Sequence, residues 1–281
     1  MKKWLFGLLL FVSTSLFGLP LGNPAESSLF CEGIFGDCDA LKVFGDYFSL
    51  RAGYYGDFVF NRKMRIDGDG SGTDHNLSTA KIYTNAGYLV LNFCELADFF
   101  ATFGETRLTL ETNGRTWFSG GNYSTVIKSK QSFSWSIGSR FEIYRFGCFL
   151  LGFEGQYFTA YCDVDSYIEL ETSRLVYPHN HSTYREWQLG TGLSYKTCLP
   201  CSTIIVLPYV GVKWGRCKYM THNLNFINTI PDPVTIFNTK SRRTWGVPLG
   251  VTVLFNRSVS LDIEMRWLDE RAFSAKAQMQ F

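Results

Sequence analysis

The sequence has no internal stretch that is long and apolar enough to cross a membrane as a helix, since such a helix needs about 20 apolar residues. It also lacks a Pro/Ser-rich linker, a low-complexity segment and an internal repeat, so nothing divides the chain into separate domains. Neither sign of charge dominates. The formal net charge is +2 at pH 7, which gives no indication of nucleic-acid binding.

An apolar run at the N-terminus, Trp4–Val12, follows Lys2 and Lys3 and precedes residues 13–18, STSLFG, most of which are small or polar. This order is typical of a secretory signal peptide, and the run is too short for a membrane-spanning helix. We expect residues 1–18 to be the signal peptide, with cleavage after Gly18. An exported chain without a membrane-spanning helix is periplasmic, secreted or an outer-membrane β-barrel.

Composition and the C-terminus favour the barrel. Aromatic residues make up 17% of the chain, and mean hydropathy is −0.03, as expected where lipid-facing and lumen-facing residues cancel. The last residues alternate strictly, with apolar side chains at Phe273, Ala275, Ala277, Met279 and Phe281. This aromatic terminal strand resembles the assembly signal of bacterial outer-membrane barrels, which is recognised by the barrel assembly machinery. Its candidate residues are Phe273, Met279 and Phe281.

Three internal segments alternate as clearly, Ser132–Tyr144, Arg185–Lys196 and Ser258–Leu268. A soluble β-sandwich also alternates, but it would bury its aromatic residues against a second sheet. We therefore predict an all-β fold, a single antiparallel transmembrane β-barrel over residues 47–281 with at least ten strands. The strands are predicted at residues 47–65, 80–93, 98–111, 132–144, 147–161, 184–196, 203–217, 244–255, 258–268 and 272–281.

The predicted connections alternate between long and short for most of the chain. Outer-membrane barrels have short periplasmic turns and long extracellular loops. If Phe281 lies on the periplasmic side, the long connections near residues 66–79, 112–131, 162–183 and 218–243 lie outside the cell. Residues 19–46 then form a periplasmic N-terminal segment.

The alternation also predicts which charged residues face the lumen. Charged rings set ion selectivity in pores, whereas in a narrow barrel opposite charges pair and fill the interior. The pore interpretation is favoured with fourteen or more strands, and the filled interior with ten. The pore-lining candidates are Arg51, Asp57, Arg140, Glu142, Glu154, Glu186, Lys196, Asp262, Glu264, Arg266 and Lys276.

Several blocks resemble the chlamydial major outer membrane porin family. LPLGNPAE at residues 19–26 is similar to its mature N-terminus, and RAGYYGDFVFNR at residues 51–62 to its first strand. EWQLG at 186–190, PYVGVKW at 208–214 and DERA at 269–272 follow in family order. The resemblance implies a shortened paralogue of a trimeric porin with up to 16 strands. It also implies passive diffusion of small hydrophilic solutes and ions across the outer membrane.

Eight cysteines are many for a barrel. Six of them fall at the predicted periplasmic end and are disulfide candidates: Cys31, Cys38, Cys94, Cys148, Cys198 and Cys201. The clustering suits cross-links between subunits and to cysteine-rich envelope proteins, and it resembles the disulfide-linked envelope of the family. Intrachain pairs or free thiols are the alternative. Cys198 and Cys201 have zinc-knuckle spacing but no second pair nearby, so we predict no metal and no cofactor.

Two other functions remain open at this point. One is a closed structural or adhesive barrel without a pore. The other is an outer-membrane hydrolase, because all four histidines fall in predicted outer loops: His75, His179, His181 and His222. No spacing brings a nucleophile, a base and its orienting group together, so we predict no catalytic residues and no enzyme.

Overall fold

The computed structural model describes residues 20–23, 26–30, 48–67, 79–112, 125–169, 174–176, 181–198, 203–221, 224–225, 235–236 and 238–281. The predicted signal peptide lies outside this range, as do Cys31, Cys38, Cys201, His75, His179 and His222. Across the described ranges, no helix has the length and apolar character needed to cross a membrane.

Ten long antiparallel strands form a closed β-barrel. Each strand pairs with its neighbours in the chain, and the first strand also pairs with the last, which closes the barrel. The predicted fold class is thus confirmed. The strand number stays at ten, so the sixteen strands implied by the resemblance do not apply to this chain. The strands are β1 (Phe48–Arg62), β2 (Thr79–Phe93), β3 (Ala97–Thr112), β4 (Ser132–Phe146), β5 (Phe149–Tyr161), β6 (Thr183–Tyr195), β7 (Ile204–Met220), β8 (Trp245–Phe255), β9 (Val259–Trp267) and β10 (Glu270–Gln280).

The two faces of the barrel follow the alternation in the sequence. Phe133 and Ile137 of β4 are each 53% exposed on the outside, whereas Ser134 and Ser136 between them are buried. In β10, Met279 is exposed and its neighbours Gln278 and Gln280 are buried inside. An apolar outer face and a polar inner face are what a membrane-spanning barrel requires, because its outside meets lipid.

The two ends of the barrel differ. At the short-turn end, tight turns join the strands at residues 94–96, 147–148 and 256–258. Cys94, Glu95, Asn256 and Arg257 have φ between 47° and 56°, the left-handed conformation that tight hairpin turns use. At the long-loop end, the connections are much longer, with the exception of the turn at residues 268–269.

Short strands in the long connections extend the wall at the long-loop end. Val164–Glu169 pairs with both Thr125–Ser129 and Arg174–Val176. Thr239–Ser241 pairs with β7 and with Met64–Ile66. It therefore continues the wall at the long-loop end, beyond the ends of the shorter strands β8 to β10. The remaining short strands are Thr197–Cys198, Leu224–Asn225 and Thr235–Ile236.

The interior at the long-loop end is a hydrophobic core. Phe158, Tyr184 and Tyr219 are each at most 1% exposed there, although they lie on the inner face of the barrel wall. Further members come from β1, β2, β3, β7 and the loops, and include Val59, Met64, Ile82, Leu108, Leu110, Ile127, Cys162, Val164, Tyr167 and Cys217. This end of the barrel is therefore packed like the core of a soluble protein.

Candidate functional site in the barrel lumen

Ten of the eleven charged residues predicted to face the lumen lie on the inner face of the wall. Eight of them are buried: Arg51, Asp57, Arg140, Glu154, Glu186, Asp262, Glu264 and Arg266. Glu142 and Lys276 are partly buried, and Lys196 lies just beyond the end of β6. The strand period therefore places these residues, but it does not reveal what they contact.

Ion pairs between wall residues lie in the half of the lumen near the short turns. The Arg140 guanidinium donates a 2.6 Å hydrogen bond to Glu154 on the neighbouring strand. Arg51 pairs with Asp98, and its guanidinium also lies 4.4 Å from the centroid of the Phe30 ring. Breaking a buried pair by removing one partner typically costs about 3–5 kcal/mol, because the other charge is left unpaired.

A second network fills the half of the lumen near the long loops. Arg266 is 2.5 Å from Asp57 and 2.6 Å from Glu270. Lys213 is 2.5 Å from the same Glu270, and Arg62 is 2.8 Å from Glu186. These charges come from β1, β6, β7, β9 and β10, so the network ties opposite parts of the wall together. Paired charges fill the described part of the lumen, as expected for a ten-stranded barrel.

Asp269 also belongs to this network, 3.3 Å from Lys213. Several partners in these networks were not predicted from the sequence: Arg62, Asp98, Lys213, Asp269 and Glu270. Asp98 and Lys213 have inner-face parity on their strands, so the alternation could have identified them. Arg62 follows a register shift in β1 between Val59 and Asn61, which breaks the period before it.

The first described residues of the chain lie inside the barrel. We call residues 20–30 the lumenal segment; residues 20–23 and 26–30 of it are described. The backbone N–H groups of Leu21 and Gly22 donate to the Glu264 carboxylate at 3.1 and 2.8 Å. The Asn23 side chain accepts from Ser194 at 2.6 Å and donates to Thr252 at 3.2 Å. The described residues of the predicted periplasmic segment, 20–23 and 26–30, therefore lie within the barrel lumen.

Glu26 holds the middle of the lumenal segment. Lys276 donates to its carboxylate at 2.5 Å, and Arg140 and Gln278 donate as well. The Ser260 hydroxyl donates at 3.2 Å. Burial alone would raise the pKa of Glu26, but the nearby cations Lys276, Arg140 and Arg51 lower it to about 2. Glu26 is therefore ionised at any physiological pH.

Apolar contacts fix both ends of the lumenal segment. Leu21 is fully buried against Gly190 and Gly211, where a Cβ atom on either glycine would overlap its side chain. At the short-turn end, Leu29 and Phe30 pack into a hydrophobic cluster with the wall residues Leu150, Ile205, Leu207 and Leu254.

One lumenal cavity, lined by Pro20, Gly22, Tyr55 and Tyr88 among others, has a volume of about 30 Å³. That volume holds one or two water molecules. The lumenal segment thus fills the half of the barrel that the hydrophobic core leaves free.

The cysteines divide by position. Cys94 and Cys148 are free thiols in the turns of the short-turn end, and Cys148 is exposed. Cys162 and Cys217 are free and buried in the hydrophobic core, and burial raises the pKa of the Cys162 thiol to about 12. Of Cys198, the backbone is described, and it pairs with Ile205. His181 is exposed at the long-loop end, 2.7 Å from Asp163.

The sequence of the chain is similar to those of chlamydial outer-membrane proteins. A family model described as the Chlamydia major outer membrane protein matches residues 1–74. The major outer membrane porin of Chlamydia trachomatis serovar L3 is 26% identical over 403 aligned positions, which cover all of both chains. That of Chlamydia pneumoniae is 27% identical over 376 positions and 95% of each chain. The 403 positions exceed the 281 residues of this chain, so the relative contains segments that this chain lacks.

Solved structures are more distant. The β domain of the Bordetella autotransporter BrkA has a TM-score of 0.44 and 12% identity over 84% of this chain and 99% of that domain. The outer membrane protease OmpT from Escherichia coli has a TM-score of 0.44 and 10% identity over 83% of this chain and 97% of OmpT. Likenesses at this level carry no argument about function.

The closed barrel, its apolar outer face and its relatives define an outer-membrane β-barrel protein, located in the cell outer membrane. The resemblance to the chlamydial major outer membrane porin family, noted from short sequence blocks, is confirmed over the full length of the chain.

Proposed function

We propose that this chain is an outer-membrane porin that passes ions and small hydrophilic solutes by passive diffusion, and that the described conformation is its closed state. The observation that carries the proposal is the full-length relation to outer-membrane porins, combined with inner-face charges of both signs along the barrel. Because charges of both signs face the lumen, we expect the open path to have weak ion selectivity.

Conduction requires the lumenal segment to leave. The segment is held by polar contacts and by the packing of Leu21, Leu29 and Phe30, and it is not part of the barrel wall. The hydrophobic core at the long-loop end is a second barrier, of the kind that gates a channel by excluding water. Both barriers must rearrange for a solute to pass.

A closed structural barrel is the second candidate, and the hydrophobic core favours it. Phe158, Tyr184 and Tyr219 are packed as tightly as residues of a soluble core, and ion pairs cross the remaining lumen. A barrel built only to strengthen the envelope would have this interior.

Single-channel conductance of the refolded full chain in planar bilayers separates the two candidates. We expect a channel that is closed most of the time and opens briefly. We also expect the Gly190→Leu variant, in which the new side chain takes the space of Leu21, to stay open longer. The matched control is Gly87→Leu on the outer face, where a Cβ lies 3.7 Å from the nearest atom, the Phe103 oxygen. Folded protein without conductance in all three forms would favour the structural barrel.

The remaining features of the proposal follow from the family resemblance and from position in the barrel. The barrel assembly machinery recognises the strand that ends in Phe281. The folded chain forms a homo-oligomer, a trimer by resemblance. Cys94 and Cys148 at the short-turn end form disulfides with other subunits or with cysteine-rich envelope proteins, together with Cys31, Cys38, Cys198 and Cys201. This end faces the periplasm.

We propose no catalytic role. The relatives are porins, and the contact of His181 with Asp163 lies in an exposed loop. Hydrolysis of peptide or phospholipid substrates by the wild type, lost in a His181→Ala variant, would overturn this part.

A further inference from the structure

We infer that the barrel lumen contains a binding site for a carboxylate group, formed by Lys276, Arg140, Gln278 and Ser260, and that the Glu26 side chain is its ligand in the closed state. We call these four residues the carboxylate site. The inference deepens the proposed porin function, because the site lies on the path that a solute would take. It is tested by a property that does not depend on conduction.

The four donors come from three strands of the barrel wall. Arg140 lies on β4, Ser260 on β9, and Lys276 and Gln278 on β10. Glu26 lies far away in sequence, in a single turn of 3-10 helix, Glu26–Ser28, that pairs with no strand of the wall. The site is thus part of the barrel, and its ligand belongs to a segment that enters from the short-turn end.

The geometry fits a carboxylate specifically. Both oxygens of Glu26 are used: Oε2 accepts from Lys276 and Arg140, and Oε1 accepts from Gln278 and Ser260. A neutral amide in this position would present an NH₂ group to two donors. All four side chains lie where water is nearly excluded, since Lys276 is 9% exposed and Arg140 is 3% exposed. Hydrogen bonds to a charged group are strong in such surroundings.

When Glu26 is absent, wall carboxylates still pair with one of the two cations that hold it. Arg140 keeps its bond to Glu154, whereas Lys276 loses its 2.5 Å partner. Lys276 is therefore the residue that makes an empty site attractive to a free carboxylate. In the open barrel, a small carboxylate solute takes the place of Glu26.

Chemical rescue in the full chain tests the site. Glu26→Ala removes the CH₂–COO⁻ group beyond Cβ, which has the shape of acetate. We expect the thermal midpoint of the folded variant to fall by about 4 °C or more, because a buried charge loses its partner. Acetate at neutral pH should recover a large part of this shift, whereas acetamide at the same concentration and chloride at the same ionic strength should not.

Three controls decide the outcome. Wild-type protein should not respond to acetate beyond the response to chloride, because its site is occupied. Adding Lys276→Gln to Glu26→Ala should abolish the rescue. Glu95→Gln removes an exposed carboxylate in a turn and should neither lower the midpoint nor create a response. Equal effects of acetate and acetamide, or no effect of either on a folded Glu26→Ala variant, would overturn the inference.

If Glu26→Ala does not fold, the double-mutant cycle of Glu26→Gln and Lys276→Gln replaces it. Additive effects on the thermal midpoint would then overturn the inference, and strong coupling would support it. Rescue in a barrel that never conducts would leave the carboxylate site in place and refute the porin proposal. Conduction without rescue would support the porin proposal and refute the carboxylate site.

Discussion

Leu21 gives the sharpest test of the closed lumen, because a change in the wall can displace it without altering the lumenal segment. Gly190 lies on the inner face of β6, and the three atoms nearest to an added Cβ all belong to the Leu21 side chain. Gly190→Leu therefore places a side chain in the space that Leu21 occupies, and it meets a flexible side chain and not the barrel backbone.

The expected magnitude follows from the burial of Leu21, which is 0% exposed. Moving a fully buried Leu side chain into water costs about 1.5–3 kcal/mol. The population with the lumenal segment released should therefore rise by about tenfold to more than a hundredfold, at roughly 1.4 kcal/mol per factor of ten. The ion pairs of Glu26 still oppose release, so the closed state remains populated.

Cleavage by a glutamate-specific protease measures this population in the refolded full chain. Glu26 is inaccessible in the closed state, and cleavage follows the open fraction when opening and closing are fast. Gly190→Leu should be cut at Glu26 at least about tenfold faster than wild type, with the fragment identified by mass spectrometry. Gly87→Leu should match the wild type. Equal cleavage of all three folded proteins would refute the reasoning, because it would mean that Leu21 does not hold the segment.

Three further predictions concern pH, cysteines and the C-terminus. Glu26 faces Lys276, Arg140 and Arg51, and these cations also interact with Asp98, Glu154, Asp262 and Tyr88. Its pKa is about 2 in the barrel and about 4.3 in a free chain. Its contribution to stability is therefore complete above pH 5 and is lost as the pH falls towards 2. The difference in thermal midpoint between wild type and Glu26→Gln should be constant from neutral pH to pH 5 and shrink below it; a difference that shrinks already above pH 5 would contradict this. In native membranes, non-reducing gels should show species larger than the monomer. Cys148→Ser should weaken these species, whereas Cys162→Ser should leave them unchanged because Cys162 is buried. Loss of these species with Cys162→Ser but not with Cys148→Ser would contradict disulfides at the short-turn end. Deleting Phe281, whose N–H bonds to the Leu50 carbonyl at 3.0 Å, should leave an exported, unfolded chain in the periplasm. Normal outer-membrane levels with heat-modifiable migration would disprove the assembly role.

The barrel wall was predictable because strand geometry is local. Side chains alternate between two faces in any strand, and lipid outside and polar groups inside make that alternation visible in the sequence. Met279 and Gln278, or Ile137 and Ser136, could therefore be assigned to opposite faces without a structure. The short strands in the long connections, such as Thr239–Ser241, were not predicted in detail, because their pairing depends on residues far away in the chain.

The candidate site was predictable only in part. Arg140, Lys276 and Glu264 were placed in the lumen by parity, but their contacts were not. Glu26 ends the LPLGNPAE block that resembles the family's N-terminus, but its place in the lumen was not predicted, because a single glutamate outside the strands gives no period to follow. Arg62 was missed for a related reason, since a register shift precedes it.

The sequence by itself predicted the signal peptide, and it was enough to identify the ten membrane strands and the inward direction of the lumenal charges. Each of these features depends on residues that are neighbours along the chain. Only the tertiary structure decided that the lumen is filled. Whether facing charges line a pore or pair across it depends on the barrel diameter, which the strand number and closure set. The position of residues 20–23 and 26–30 inside the wall depends on contacts such as that of Glu26 with Lys276, which are 250 residues apart in sequence.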